Sequence, residues 1–447
     1  MTREAEATVS AGGTVAHDGT IVPTESLLAG PFRLFWPASF LIYGLDAVLR
    51  ALVPVIALDR GGDAVLVGLL GTAFAIPSVL FRPIVGSLVD SWQHRLVLRS
   101  AALGVATLPL ILLLPGSLAL LVGRFLYGSA WAAYSVSNHA LLAKLAPPAR
   151  RAEASGGYLT AGGIGALILP GLGVALYTGT GVELPILFVL TLGLAGVLVV
   201  ARIAVPATGP QPGGAGRTPG GNAGRTPGGN AGGITGGASG GTTARNAGGT
   251  AGEAATGARK EPLLTRFFEP SAVPGAILLV TTYSAWSIFT VFPAVYAEHV
   301  NEPVEVLIAY FPIFGLAQVL FQPFVGRLGD RLGRARSMIS GATIAAVGLL
   351  VAMIPGFATF TAAAVIYAIA QSLVMATVSA LTMERAPKHR LGSAMATYSV
   401  GFQVATGISS LAWGAMINSV GFGWVFAAAL ALQVLTIALA LRFLMRR

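Results

Sequence analysis

The sequence predicts an all-α membrane protein of twelve transmembrane helices, arranged as two pseudo-symmetric six-helix bundles. Three observations predict it. The chain is 54% hydrophobic and only 10% charged over 447 residues, with mean hydropathy +0.75, well outside the balance of a soluble domain. Twelve apolar runs reach the roughly 18 residues that a helix needs to cross a ~30 Å hydrocarbon core. The two halves also repeat at a fixed offset of 240 residues: FRPIVGSLVD from Phe81 returns as FQPFVGRLGD from Phe321. The runs are continuously apolar and rich in Ala, Leu and Gly, whereas a transmembrane barrel needs short segments of alternating polarity.

Residues 1–31 are polar and acid-containing with no apolar core, so they read as a loose cytoplasmic tail rather than a signal or transit peptide. The first span, Leu34 to Leu58, carries Asp46 and Arg50. The second, Val65 to Leu88, ends in the first copy of the repeated motif, and the third, Leu96 to Leu114, follows a basic loop with His94 and Arg95. The fourth, Leu118 to Leu141, contains Arg124 and Tyr127; the fifth, Ala154 to Tyr177, contains Pro170 and Gly173; the sixth runs from Leu184 to Val205. Thr208 to Gly257 then holds 19 of the 58 glycines and the octapeptide GRTPGGNA twice in tandem. No packed core forms from such text, so residues 206–266 are expected to be a flexible tether with ends about 40 Å apart. It reads as a spacer, with a regulatory docking role for its arginines as the alternative. The seventh span, Ala272 to Ala297, carries Tyr283 and Trp286, and the eighth, Val304 to Leu328, ends in the second motif. Met338 to Ile354, Ala358 to Leu381 with Tyr367 and Gln371, Gly392 to Ile417 and Gly423 to Phe443 complete the set. The expected units are therefore a tail (1–31), an N-terminal bundle (32–205), a linker (206–266) and a C-terminal bundle with a short basic tail (267–447).

The repeat extends past the motif. Ala146, Pro147, Arg150, Ala154 and Tyr158 recur as Ala386, Pro387, Arg390, Ala394 and Tyr398, still 240 residues on. Paired six-helix repeats are the architecture of a transporter with a site between its halves.

The net charge of +10 sets topology rather than marking a nucleic-acid binder. One class of loop collects His94, Arg95, Lys144, Arg150, Arg151, Arg327, Arg331, Arg334, Arg336, Arg385, Lys388 and Arg390. The other carries Asp59, Asp63, Glu183, Glu298, Glu302 and Glu305 with Arg60 alone. By the positive-inside rule both termini face the cytoplasm, which places the chain in the plasma membrane as a multi-pass protein. Cysteine is absent, so redox state says nothing about compartment. The five histidines fit no metal motif and no phosphate-binding Gly-Lys-Ser/Thr loop occurs, so no enzyme, cofactor or metal site is expected.

Ionisable residues inside spans are costly and by default functional. Spans seven to twelve contain none in their interiors, whereas the first half holds Asp46, Arg50, Arg82, Arg99 and Arg124. Asp46 lies twelve residues (~18 Å) from the start of its span on the cytoplasmic side, and Arg124 six residues (~9 Å) from the opposite side. In a ~30 Å core the two meet at nearly one level. Either Asp46 and Arg50, four apart, merely neutralise each other, or Asp46 takes up and releases a coupling proton while Arg50 and Arg124 stabilise its carboxylate. Arg82 and Arg99, near the inner surface, are expected to snorkel in a structural role.

These features resemble the major facilitator superfamily. Its signature after the second helix, G-x-L-x-D-R-x-G-R-R, is nearly complete in Gly326, Leu328, Asp330, Arg331, Gly333 and Arg334. The first copy keeps Gly86, Leu88, Asp90 and Arg95 but has Ser91, Gln93 and His94 in place of Arg, Gly and Arg. Arg124 and Gly128 fit a fourth-helix pattern, and Pro170 and Gly173 retain part of the fifth-helix pattern of antiporters. The resemblance covers all but the tail and linker, and prokaryotic proton-linked efflux permeases are the nearest in character. It implies a monomer in the lipid bilayer whose spans one, four, seven and ten line a cavity, with Tyr127, Tyr283, Trp286, Tyr367 and Gln371 as substrate contacts.

In such a protein the repeated motif has a physical use. Gly86 and Gly326 permit close helix approach. Asp90 and Asp330 sit where a carboxylate meets the positive N-terminal end of a helix in the other half, worth about 0.3 to 2 kcal/mol. With Arg95, Arg331 and Arg334 they form an expected cytoplasmic gate, latched when the protein faces outward; the alternative is a solvated Asp that only fixes topology. The leading expectation is proton-coupled export of a small organic molecule by antiport. Proton-coupled uptake of a metabolite is the alternative within transport, and a non-transporting ligand sensor the alternative outside it.

Overall fold

The computed structural model of the chain describes residues 13–15, 21–23, 32–90, 94–145, 151–203, 269–387 and 391–442. The tail is not wholly irregular: β1 (Gly13–Val15) pairs antiparallel with β2 (Ile21–Pro23). The linker expected at 206–266 lies outside the described residues.

The N-terminal bundle consists of α1 (Phe32–Asp59), α2 (Ala64–Asp90), α3 (His94–Thr107, prolonged by a 3-10 turn at Leu108–Leu113), α4 (Ser117–Leu145), α5 (Arg151–Thr180) and α6 (Glu183–Arg202). In the C-terminal bundle one crossing is broken into α7 (Val273–Tyr283), α8 (Trp286–Val291) and α9 (Pro293–His299). It is followed by α10 (Val306–Leu332), α11 (Arg334–Ala352) and α12 (Phe357–Arg385). The next crossing joins α13 (Leu391–Gln403) to α14 (Ser409–Val420) through a π turn at Val404–Ile408, and α15 (Phe422–Ala440) ends the fold. Together these make the twelve crossings of a two-bundle transporter fold.

Nine of the crossings are long and apolar enough to span a bilayer on composition alone, among the described residues. The other three are α4, the broken α7–α9 crossing and α10. In α4 the apolar run is diluted by Arg124, Ser135, Asn138 and His139. Large apolar side chains such as Leu80, Leu118, Leu198 and Trp424 stand exposed on the outside, where they meet hydrocarbon in a chain of this hydropathy.

The break after α7 has no Gly or Pro to explain it. It persists because other helices satisfy the carbonyls it frees, as buried backbone in a membrane requires. The Thr282 carbonyl accepts from Tyr367 Oη, from Gln371 Nε2 at 3.0 Å and from Gln433 Nε2 at 3.3 Å. The Ser284 carbonyl accepts from Trp413 Nε1 at 2.9 Å, Ser287 Oγ at 2.8 Å and Ser409 Oγ at 3.3 Å. The second break is local, since Pro293 opens α9.

The bundles meet along two helix pairs, α5 with α10 and α2 with α14. Small residues set both seams. A Cβ on Gly171 would come within 2.6 Å of the Ile308 carbonyl oxygen, and one on Gly315 within 3.0 Å of Leu167 Cα. On the other seam Gly68 and Gly71 face Ser410, Gly407 faces Ala75 and Gly414 faces Ala64. Thr72 Oγ1 donates to the Gly407 carbonyl (2.8 Å), Ser410 Oγ to the Gly68 carbonyl (3.0 Å) and Asn418 Nδ2 to Asp63 Oδ2 (2.5 Å). All these residues lie between mid-helix and the face bearing the acidic loops, so that face is sealed. Toward the basic face, Gly86 has no atom within 4 Å of where a Cβ would stand.

Candidate functional site

Three helices bring the intramembrane charges together. On α1, Asp46 and Arg50 are one helical turn apart, and Arg50 Nη2 bonds Asp46 Oδ2 at 2.9 Å. On α4, Tyr127 Oη donates to Asp46 Oδ1 at 3.1 Å. Asp46 is 2% exposed, whereas the Arg50 side chain is 49% exposed into the space between the bundles. Arg124, 6% exposed, stacks its guanidinium over Phe74 of α2, 4.8 Å from the ring centroid, and over Tyr127 at 5.9 Å. Its Nε reaches the Leu70 carbonyl at only 3.5 Å, and its Nη1 has no partner.

Asp46 and Arg124 lie on either side of Tyr127. They share a level, but no ion pair joins them among the described residues; Tyr127 is bonded to one and stacked beneath the other. The tyrosine takes the place that an ion pair would otherwise fill.

These groups wall a cavity of about 390 Å³. Along α2 it runs from Val67 to Arg82, fifteen residues or ~22 Å. Its apolar lining includes five aromatic residues, Tyr43, Phe74, Trp131, Trp286 and Phe402, beside aliphatic ones such as Val67 and Leu70. Tyr43 packs edge-on to Trp131 at 5.0 Å and to Tyr158 at 5.3 Å, and its hydroxyl accepts from Tyr158 Oη. Thr290, Gln403 and Thr406 add neutral polar groups from the C-terminal half, Gln403 just before the π turn and Thr406 within it. A smaller cavity of about 120 Å³ between α5 and α10 shares Arg50, Trp286 and Thr290 and includes Pro170.

Several expectations need correction. Of the five proposed substrate contacts only Trp286 lines the cavity. Tyr283 is buried behind it, 5.2 Å from the Trp286 ring and 5.1 Å from Phe402. Tyr127 lies behind the wall, holding Asp46. Tyr367 and Gln371 sit deeper, at the helix break, because the freed Thr282 carbonyl needs their donors. Arg82 is the converse: expected to snorkel, it lines the cavity, its Nε bonded to the Ser78 carbonyl at 3.0 Å. Arg99 does sit outside the cavity, against the Ala201 carbonyl.

The proposed gate is placed in part. α2 and α10 reach Asp90 and Asp330 as helix, but the side chains of Asp90, Asp330 and Arg331 and the surroundings of Gly326 lie outside the described residues. Among the described residues no atom lies within 4 Å of a Cβ at Gly86. Arg95 is exposed. Arg334 bonds Glu384 of its own bundle, Nη2 to Oε1 at 2.7 Å. In the fifth-helix motif, Gly173 packs on Val48 within the N-terminal bundle, whereas the neighbouring Gly171 makes the contact between halves.

The sequence did carry a signal for the missed residues. Arg124, Tyr127, Trp131, Ser135 and His139 recur every three to four positions, one stripe on α4, and Tyr43, Asp46, Arg50 and Pro54 do the same on α1. Polar and aromatic periodicity inside an apolar span marks the wetted face.

Comparison with known proteins agrees with this architecture. The Major Facilitator Superfamily model matches residues 35–310 and 274–447. The fold resembles the nucleoside transporter NupG (TM-score 0.68, 12% identity, covering 93% of this chain and 99% of that one). It also resembles a bacterial homologue of the human lysosomal transporter Spinster in an inward-facing, occupied conformation (0.66, 12%, 92% and 95%). The human organic anion transporter MFSD10 is a further likeness (0.63, 16%, 92% and 98%). Identities this low speak to fold alone, and no curated protein matches the sequence. With two six-helix bundles, a seam of small residues and a charged cavity between them, the chain belongs to the Major Facilitator Superfamily.

Proposed function

We propose that this chain is a secondary active transporter that moves a small organic molecule by alternating access and couples that movement to protons through Asp46. The observation that carries the reading is a carboxylate 2% exposed at the wall of the inter-bundle cavity, held by one arginine and one tyrosine. A carboxylate there changes the local charge by one when it takes a proton, and so biases the two orientations differently. The seal on the acidic face makes this the state open toward the basic face. With that face cytoplasmic, both termini inside and the protein a monomer in the plasma membrane, the state is inward-facing. Asp90 and Asp330 are proposed to latch this face in the opposite orientation. Residues 206–266 tether the bundles 32–205 and 267–447.

Export by antiport remains the reading of the fifth-helix motif, with Pro170 on the smaller cavity. Uptake together with the proton is favoured by the Asp46–Arg50 pair, because protonation frees a guanidinium facing the cavity. The test is flux in proteoliposomes under an imposed pH gradient, wild type against Asp46→Asn. Gradient-driven flux that survives the substitution unchanged would sink the proton assignment; no flux of any compound would sink transport itself.

A further inference from the structure

The geometry points to an organic anion with an aromatic or apolar body as the substrate of the central cavity. This rests on the transport reading above and narrows it. Three guanidinium groups line the cavity, those of Arg50, Arg82 and Arg124, against one carboxylate, that of Asp46. Asp46 is committed to Arg50 and Tyr127. Arg124 is left over a ring face, with a buried Nη1 that no protein atom satisfies. Arg82 bonds only a main-chain carbonyl, and no carboxylate pairs with it among the described residues. Among the described residues the C-terminal half offers this space threonine, glutamine and aromatic groups but no acid.

A cation entering such a space meets an excess of like charge. An anion meets two guanidinium groups that bond main-chain carbonyls only through Nε, and guanidinium forks match carboxylate, sulfonate or phosphate oxygens. Arg124 lies toward the sealed end and Arg82 toward the open end, twelve residues of α2 (~18 Å) separating Leu70, beside Arg124, from Arg82. An anion is therefore met first by Arg82 and held at depth by Arg124, with Phe74, Trp131 and Trp286 around its body. The proton follows from the same arrangement. The groups facing Asp46 are Arg50 and Tyr43 on its own helix and Tyr127 and Arg124 on α4. Protonating Asp46 neutralises the one lining carboxylate among the described residues and releases Arg50 to the anion, so proton and anion bind cooperatively and travel together.

The experiment uses the full chain in lipid nanodiscs and reads quenching of tryptophan fluorescence, since Trp131 and Trp286 line the cavity. The probes are size-matched and free of indole: benzenesulfonate and phenylacetate against benzylamine and phenethylamine. The anions are expected to bind saturably and the amines not. Benzenesulfonate, ionised throughout, is expected to bind more tightly as pH falls in wild type but not in Asp46→Asn. Arg124→Gln is expected to weaken anion binding on the order of thirtyfold and Arg82→Gln roughly tenfold, with partial recovery in Arg124→Lys. Arg82→Gln keeps the test valid if the buried Arg124 variant fails to fold. Tighter binding of the amines, no saturable binding of either anion, or anion affinities indifferent to both arginine variants overturns the proposal. Anions that bind as described but never cross a liposome membrane would instead remove the transport reading and leave the anion site standing. Flux of an amine without anion binding would do the reverse.

Discussion

Gly171 on α5 faces the Ile308 carbonyl oxygen and the Pro312 ring of α10, which a Cβ would approach to 2.6 and 3.1 Å. Neither neighbour is the loose end of a flexible side chain, so Gly171→Ala must push the two bundles apart at this seam. Overpacking of this kind costs about 1 to 3 kcal/mol. The cost falls on the state sealed at the acidic face and is relieved when that seam opens. A middle value of about 2 kcal/mol shifts the ratio of the two orientations roughly thirtyfold toward the state open on the acidic face. The chain has no cysteine, so one introduced at Thr290 on the cavity wall is a clean reporter. An impermeant maleimide added from the acidic side should label Thr290→Cys much faster in the Gly171→Ala background. Gly86→Ala is the internal control, because nothing lies within 4 Å of its Cβ position, and its labelling should match the parent. Equal labelling in all three would refute the assignment of this seam as the acidic-face seal.

Other predictions follow from the same contacts. Tyr367→Phe removes one of three donors to the Thr282 carbonyl and should lower stability by about 1 to 2 kcal/mol in thermal denaturation. Gln371→Leu discards an unpartnered amide oxygen together with its donor and should cost less; neither variant should change substrate affinity. Arg334→Gln breaks an exposed ion pair with Glu384 and should shift stability by no more than about 1 kcal/mol, with flux unchanged if the pair is only structural. Deleting one octapeptide, Gly216 to Ala223, should leave flux intact if residues 206–266 act as a spacer, since closure cost changes only slowly with loop length; a loss of flux would give the segment a docking role.

Much of the fold is legible in the sequence because lipid imposes a simple rule. Each crossing must satisfy its own backbone, so twelve long apolar runs mean twelve crossings, and the FRPIVGSLVD repeat fixes their grouping. The level shared by Asp46 and Arg124 is legible too, since helical rise is constant. The cavity lining is harder to read. Which face of an apolar helix turns inward depends on its partners, so Tyr367 and Gln371 on α12 look no different in sequence from Trp131 on α4. The break at Ser284 has little local signature, because five of its six side-chain donors come from elsewhere along the C-terminal half and only Ser287 is near. Arg82 was misplaced because depth along a helix says nothing about whether a cavity reaches that depth.

The central claim is that Asp46 links proton and substrate in one cavity. The most direct measurement is the pH change when benzenesulfonate is added to the protein in weakly buffered nanodiscs. Wild type is predicted to take up protons as the anion binds, and Asp46→Asn to bind the anion without proton uptake. No pH change in wild type at saturating anion, or the same change in Asp46→Asn, would contradict it.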